Sequence, residues 1–285
     1  MSTRKWKFLV LWFAVCSITV IPAHAATKAS LKEQAWDLLR TGVDDEKVPH
    51  RTTAVRVLSL LPGEPEAKTL ATKSLEDEKS EVRAAGAWTL GQLHAISTVP
   101  QLKKLLADKE PSVVLAAANA LLQMKEKSAY AVYYEILTGE RKSNKGLIEG
   151  QMDTLKDPKK VALLGFEEGI GFIPFAGLGY TAVKTLVKDD SSPVRAAAAK
   201  VLGSDSDPEI DNTLLDVAIN DKSEIVRVAA LEAIARRNHP AMVDKIAPIL
   251  NDDSDPVKYT AAAAILRLTD HKNIKTDKKS PATSN

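Results

Sequence analysis

Cysteine is all but absent: the 285-residue chain has one, Cys16, within its first 25 residues. A disulfide framework is therefore excluded. Strong charge is lacking too, with 39 basic against 37 acidic residues and a formal net charge of +2. No balance of this kind calls for nucleic acid. Long hydrophobic runs are missing except for one stretch of 14 residues from Phe8 to Ile21, short of the roughly 20 needed to span a bilayer. The glycines spell no phosphate-binding loop, because no Lys-Ser/Thr follows them and no strand pattern precedes them.

That one apolar run is organised as an address. Arg4, Lys5 and Lys7 precede it, Pro22 follows, and Ala23-His24-Ala25 offers small residues at the two positions a signal peptidase reads. Residues 1–25 are expected to be a cleavable signal peptide, cut after Ala25, which puts the chain in the periplasm or outside the cell. An uncleaved anchor is the competing reading. A lipoprotein is disfavoured because Phe13-Ala14-Val15 precedes Cys16 in place of a Leu and a small residue. Cleavage would remove three basic and no acidic residues, leaving 36 against 37 and a net charge near −1.

What the remainder contains in abundance is one repeated phrase: an Asp, an aliphatic residue five positions on, then a basic one. Its clearest copies run Asp77 to Arg83, Asp189 to Arg195 and Asp221 to Arg227. Weaker copies begin at Asp45, Asp108 and Asp252, and a degenerate one at Gly139, so successive starts lie 32, 31, 31, 50, 32 and 31 residues apart. A period this regular predicts a solenoid. The residue two before the start (Val43, Leu75, Leu250) and the one thirteen after it (Leu58, Leu90, Leu121, Ile234, Ile265) are apolar in every copy. Nine after the start the residue is small (Ala54, Gly86, Ala117, Ala230, Ala261), except in the fourth copy. Three- and four-residue steps such as Val82, Gly86, Leu90 and Leu93 are those of a helix face. Each unit reads helix, Asp-containing turn, helix, with the Asp accepting N–H bonds at the following helix start. Pro49, Pro111, Pro193 and Pro256 fit the first turn, where a missing donor costs nothing.

These residues resemble the HEAT repeat, specifically the short bacterial form called PBS-lyase HEAT-like, over roughly residues 30 to 270. The resemblance implies an all-α, right-handed α-solenoid of about seven helix pairs. It also implies an Asp–Arg ladder between neighbouring repeats, carried over to Asp77 with Arg83, Asp189 with Arg195 and Asp221 with Arg227. Val114 replaces the Arg in the third copy, and Gly139 with Lys145 replaces the pair in the fourth, so the ladder is expected to break mid-chain. Domain boundaries follow: signal peptide 1–25, solenoid 26–269, and a polar, lysine-bearing, disordered tail 270–285.

Aromatics are 5% of the chain, and Trp88 occupies a column whose other members are mostly polar: Arg56, Asn119, Gly150, Lys200, Glu232 and Ala263. Second helices line the concave surface in the HEAT family. The resemblance therefore gathers Trp88, Gln92, Asn119 and Gln123 in the groove as candidate partner-binding residues. Trp88 reads equally as a space filler beside Gly86 and Gly91. Trp36 is expected to cover the open end of the stack, His50 to be a satisfied structural residue in a column of valines, and Tyr133 to be core.

The 50-residue interval holds an insert at about 157–179, which the period does not require. Its Phe172 and Phe175 either plug the core or wait for a partner, and membrane contact through them is a less favoured option. Glu167 and Glu168 are adjacent, point about 100° apart on a helix and do not make a catalytic pair. No catalytic, metal-ligating or cofactor-binding residue is expected. HEAT-built metal hydroxylases use His-Glu pairs, whereas none of the five histidines here is followed by Glu. Bilin lyases share the repeat, but the repeat encodes a fold and not a chemistry. The expected function is a non-catalytic scaffold for a protein or peptide; the alternatives are a HEAT-like enzyme or lyase-related subunit, and a membrane-surface protein.

Overall fold

In a computed structural model, residues 28–138 and 191–269 are described, and ten of the twelve α-helices among them form successive helix pairs. The signal segment, the insert with Phe172 and Phe175, Asp189 and the tail lie outside the described residues. The helices are α1 (Lys28–Val43), α2 (Val48–Val57), α3 (Pro65–Lys73), α4 (Ser80–Gln92), α5 (Val99–Leu105), α6 (Pro111–Gln123) and α7 (Ser128–Thr138). After the gap come α8 (Ser192–Leu202), α9 (Glu209–Asn220), α10 (Glu224–Arg237), α11 (Val243–Ile246) and α12 (Asp255–Thr269). Short 3₁₀ turns extend several of them, such as Leu58–Leu60 after α2.

The repeated Asp sets the turn and not the helix cap itself. Asp45, Asp77, Asp108, Asp221 and Asp252 each accept the backbone N–H two residues on, at 2.7–2.9 Å. These are Asx turns, in which a carboxylate imitates a backbone carbonyl. The residues so held, Lys47, Lys79, Glu110 and Ser223, are N-caps in extended or near-extended backbone with no side-chain capping bond of their own. Helix ends are just as regular. His94, Lys125 and Asn238, each seventeen residues after its Asp, take left-handed φ values of 49°, 60° and 57°. At the first two, the following residue donates back five positions, Ala95 to Leu90 and Glu126 to Leu121. That closes α4 and α6 in the Schellman manner without a glycine.

The second helices of neighbouring repeats, α2, α4 and α6 and likewise α8, α10 and α12, pack directly on one another, whereas neighbouring first helices barely touch. The second helices are consequently the inner row of a curved stack. Close approach is set by glycines: a Cβ on Gly91 would sit 2.9 Å from Ala120 Cα, and one on Gly203 would sit 2.8 Å from Ala233 Cβ. The column thirteen after the Asp forms the core at Leu58, Leu90, Leu121, Ile234 and Ile265, all at 0% exposure, whereas Leu202 in the same column is 36% exposed.

The stack does not run in chain order. The last helix, α12, packs against α1 and α2, so the inner row reads α8, α10, α12, α2, α4, α6 in space. Ten residues of α12 are buried, from Val257 to Leu268 and around most of its circumference, as for an internal helix and not a terminal one. This corrects the expected role of Trp36. It is buried at 4% exposure, but on a helix that meets the last repeat, so it caps no open end. Tyr133 is also corrected: it is 37% exposed, while Ala129 and Val132, at 0% and 4%, carry the buried stripe of α7. A residue next to Val132 points about 100° away from that stripe.

Candidate functional site: the inner face

The ladder is the scaffold behind this face. Each arginine reaches the Asp side chain of the next repeat, and Arg51, Arg83 and Arg227 reach only the backbone carbonyl of their own. Arg83 donates to Asp108 through Nε and Nη2, both at 2.9 Å, and to Asp77 O at 2.9 Å. Arg51 makes the same fork to Asp77 at 2.9 and 3.1 Å, and Arg195 to Asp221 at 3.0 and 3.1 Å. Arg227 bonds Asp252 through Nη2 alone, at 3.0 Å, and its buried Nε has no partner. The pairing is thus Arg83 with Asp108 and Arg227 with Asp252, not with Asp77 and Asp221. Val114 ends the run after Asp108.

The fork fixes charge on both partners. The Arg83 bond, outweighing burial and helped by the Glu110 N–H, holds the Asp108 carboxyl below its ordinary value. The Arg195 bond does the same for Asp221. At Asp77 burial opposes ionisation, yet the bonds from Arg51 and the Lys79 N–H prevail, and its pKa is also lowered.

Where α12 meets α1 and α2, the ladder is replaced. His50 stands in the valine column, with Nδ1 at 3.2 Å from both Asp45 Oδ2 and Asp255 Oδ2. Lys258, in the arginine column, pairs with Asp255 at 2.5 Å. Tyr259 lies against Gly42, where a Cβ would come within 2.7 Å of the ring. Burial, with Asp255 and Asp45 nearby, pushes the Tyr259 hydroxyl up to about 12. Arg267 closes the far end, donating from Nη1 to Leu60 O at 2.7 Å.

Two side-chain rows, eleven and fifteen residues after each Asp, are the groove-facing ones, except where the last repeat docks on the first: there Ala263 and Leu60 are buried, and Arg267 and Arg56 carry the rows. On the α2–α6 side they bring the predicted residues together. Arg56 lies over the Trp88 ring at 5.4 Å from its centroid, within cation–π range. Gln92 Nε2 donates to Gln123 Oε1 at 3.2 Å, and Gln123 Nε2 donates to Asn119 Oδ1 at 3.3 Å. All five side chains belong to half-buried residues. Trp88 is therefore partly buried, which fits both the contact and the space-filling reading. On the other side the same rows carry Lys200, Glu232, Arg236 and Arg267. Sequence reasoning missed these as a group, because Lys200, Arg236, Arg267 and Arg56 fall in one row only once α12 joins α2.

A hollow of about 590 Å³ lies elsewhere, between α1 and the Ala247–Asn251 turn, lined by Glu33, Asp37, Leu250 and Asn251 among others. Its two carboxylates already bond Arg40 Nη1, at 2.9 and 2.7 Å. Among the described residues no group of three His, Cys, Asp or Glu is placed to hold a metal ion, and no helix is long and apolar enough to cross a membrane.

These features define a repeat protein of the helical-solenoid class. A family model described as HEAT repeats matches residues 68–143 and 181–266, more than half of the chain, and the chain belongs to that family. No curated protein matches it. Among solved structures it is similar to human deoxyhypusine hydroxylase in complex with glycerol, at 15% identity and TM-score 0.32, covering 85% of this chain and 98% of that one. It is also similar to the complex of CpcE and CpcF of phycocyanin lyase from Nostoc, at 19% identity and TM-score 0.32, covering 92% and 95%. A designed armadillo repeat protein matches at 17% identity and TM-score 0.25, covering 84% and 99%.

Proposed function

We propose that this chain is a non-catalytic scaffold that holds a protein or peptide along its inner face, and that it acts outside the cytoplasm. The observation that carries the reading is the half-buried stripe of Arg56, Trp88, Gln92, Asn119 and Gln123. It combines an aromatic surface with amides that retain donors and acceptors beyond their mutual bonds, on a rigid stack whose curvature presents an extended surface. Aromatic and arginine side chains of this kind dominate binding energy at protein interfaces. The location rests on the basic, apolar and small-residue pattern of residues 1–25.

The test places a photo-crosslinking amino acid at position 92, or, as an outer-face control, at the exposed Thr69 on α3, in the full chain expressed in its native compartment. The expected result is a discrete protein adduct from position 92 and none from position 69. Equal capture from both, or from neither, would overturn the reading.

A further inference from the structure

We propose that the inner face from α8 through α2 is a docking site for an acidic stretch of polypeptide, gripped at its centre by Arg236 and Arg267. This rests on the scaffold reading above and names the chemistry of its partner.

In spatial order the two groove-facing rows carry Lys200 on α8, Glu232 and Arg236 on α10, Arg267 on α12 and Arg56 on α2. Four cations therefore stand in line with a single carboxylate among them. Glu232 is committed to Arg236, at 3.1 Å. Arg267 has no carboxylate partner among the described residues. Its Nη1 donates to Leu60 O, and its Nε is buried with no acceptor. Burial, together with the charge of Arg236, lowers the Arg267 pKa. Burial also lowers that of Lys200, where the charge of Arg236 acts against the support of Glu232. A guanidinium that is partly desolvated, short of an acceptor and close to a second cation is an incomplete arrangement. A carboxylate in the groove relieves it, because its charge offsets the two adjacent cations and its two oxygens accept from guanidinium N–H groups on the groove side, the buried Nε of Arg267 excepted.

The spread of the cations selects a polypeptide over a small anion. They sit on four successively packed helices, and packed helices lie roughly 8–10 Å apart, so the row is about 25–30 Å long. No single small anion reaches along it. An extended chain of about eight residues does, at about 3.3 Å per residue. Beyond Arg56 the same groove continues into Trp88 and the amides of Gln92 and Gln123, which suit the backbone and apolar side chains flanking such a stretch.

The test measures fluorescence anisotropy of the full chain with labelled octapeptides alternating Gly with Glu, Gln or Lys, and with a labelled single-stranded 12-mer oligonucleotide. The Glu peptide is expected to bind about tenfold or more tighter than the Gln and Lys peptides, and to weaken as salt rises. Arg236→Glu should lower that affinity about tenfold; Arg236 is half-exposed, so the fold is retained, and circular dichroism checks it. Arg267→Gln should act in the same direction. A Glu peptide no tighter than the Gln peptide, an affinity unmoved by both substitutions in folded protein, or tighter binding of the oligonucleotide would each overturn the proposal. If any of these occurs while position 92 still captures a protein, the scaffold reading stands and the acidic partner is wrong.

Discussion

The step from α4 to α6 and the step from α12 to α1 and α2 are both contacts between repeats, yet they are built from different residues. The first is a standard rung: a forked Arg83–Asp108 pair, with Gly91 against Ala120 to let the helices close. The second joins copies some 200 residues apart in sequence, and around the retained Asp45 the other residues of the contact have changed. His50 replaces the valine, Lys258 the arginine, and Tyr259 fills the space left by Gly42. A standard rung must fit two neighbours of like kind, which keeps its residues uniform. The closing contact has one partner only, and its residues are free to become specific to that partner. Departures from the repeat consensus in the first and last copies are therefore the signature of their meeting.

If the closing contact is as deeply built as the core, its central side chain should be the more costly to lose. Tyr259 is 4% exposed, and Tyr259→Ala should destabilise the protein by about 3–5 kcal/mol, the usual range for truncating a buried aromatic. Hydrogen exchange should show α1 losing protection first. Loss confined to α10 and α11, with α1 unaffected, would mean that α12 closes nothing. The standard rungs come next and divide by burial. Arg83→Ala leaves Asp108 buried and unpaired, with both side chains about 10% exposed, and should cost about 3 kcal/mol. Arg195 is 36% exposed, so water screens its fork, and Arg195→Ala should cost about 1 kcal/mol. Equal losses in denaturant titrations would show that burial does not grade the rungs.

Much of this was legible in the sequence, and what was not has a common cause. The period, the buried leucine column and the small residues beside it depend on neighbours within one unit or the next, so a self-alignment exposes them. The ladder was legible as a set of residues but not as pairs, because Asp77 and Arg83 are close in sequence while the carboxylate that Arg83 grips is Asp108, 25 residues on. The groove group of Trp88, Gln92, Asn119 and Gln123 followed from column position. Its continuation through Arg56 to Arg267 and Arg236 did not, since that order exists only after the last repeat docks on the first. Trp36 reads in the sequence as a cap because a linear solenoid has an open first repeat; His50 reads as a satisfied structural residue, which it is, but one of its two partners, Asp255, lies in the last repeat. The available hint was that Tyr259 stands where other copies have Thr52, Ala84, Leu115, Ala196 and Val228.

Acid acts on rung and closure alike, since Asp45 is also held below its ordinary value, chiefly by the Lys47 N–H. Asp77, Asp108 and Asp221 have folded-state pKa values below the ordinary 3.8. The unfolded chain therefore takes up protons before the folded one does as pH falls. Their contribution is complete above the unfolded value and is lost as pH drops through the depressed folded values. Stability should be flat above about pH 5 and decline below about pH 4. Arg83→Ala should flatten that decline, because Asp108 loses the bond that lowers its pKa. A decline of unchanged steepness in the variant would place the acid sensitivity elsewhere.

The smallest effect belongs to the residue that most clearly marks the closure. His50→Val restores the consensus of its column, where Val82, Val226 and Val257 are 0–1% exposed, and on the repeat pattern alone it should be neutral or stabilising. The structure argues otherwise. The change removes the group between Asp45 and Asp255, leaving two carboxylates facing across the contact with Lys258 serving only Asp255. The three side chains of that cluster are 19–29% exposed, so the interaction is partly screened and His50→Val should cost about 0.5–1 kcal/mol. Asp255→Asn removes one of the facing charges, and in a double-mutant cycle it should recover a good part of the loss. Additive losses from the two substitutions would show that His50 and Asp255 do not act together. The closing contact would then rest on Tyr259 and the small residues around it, with no charged clasp.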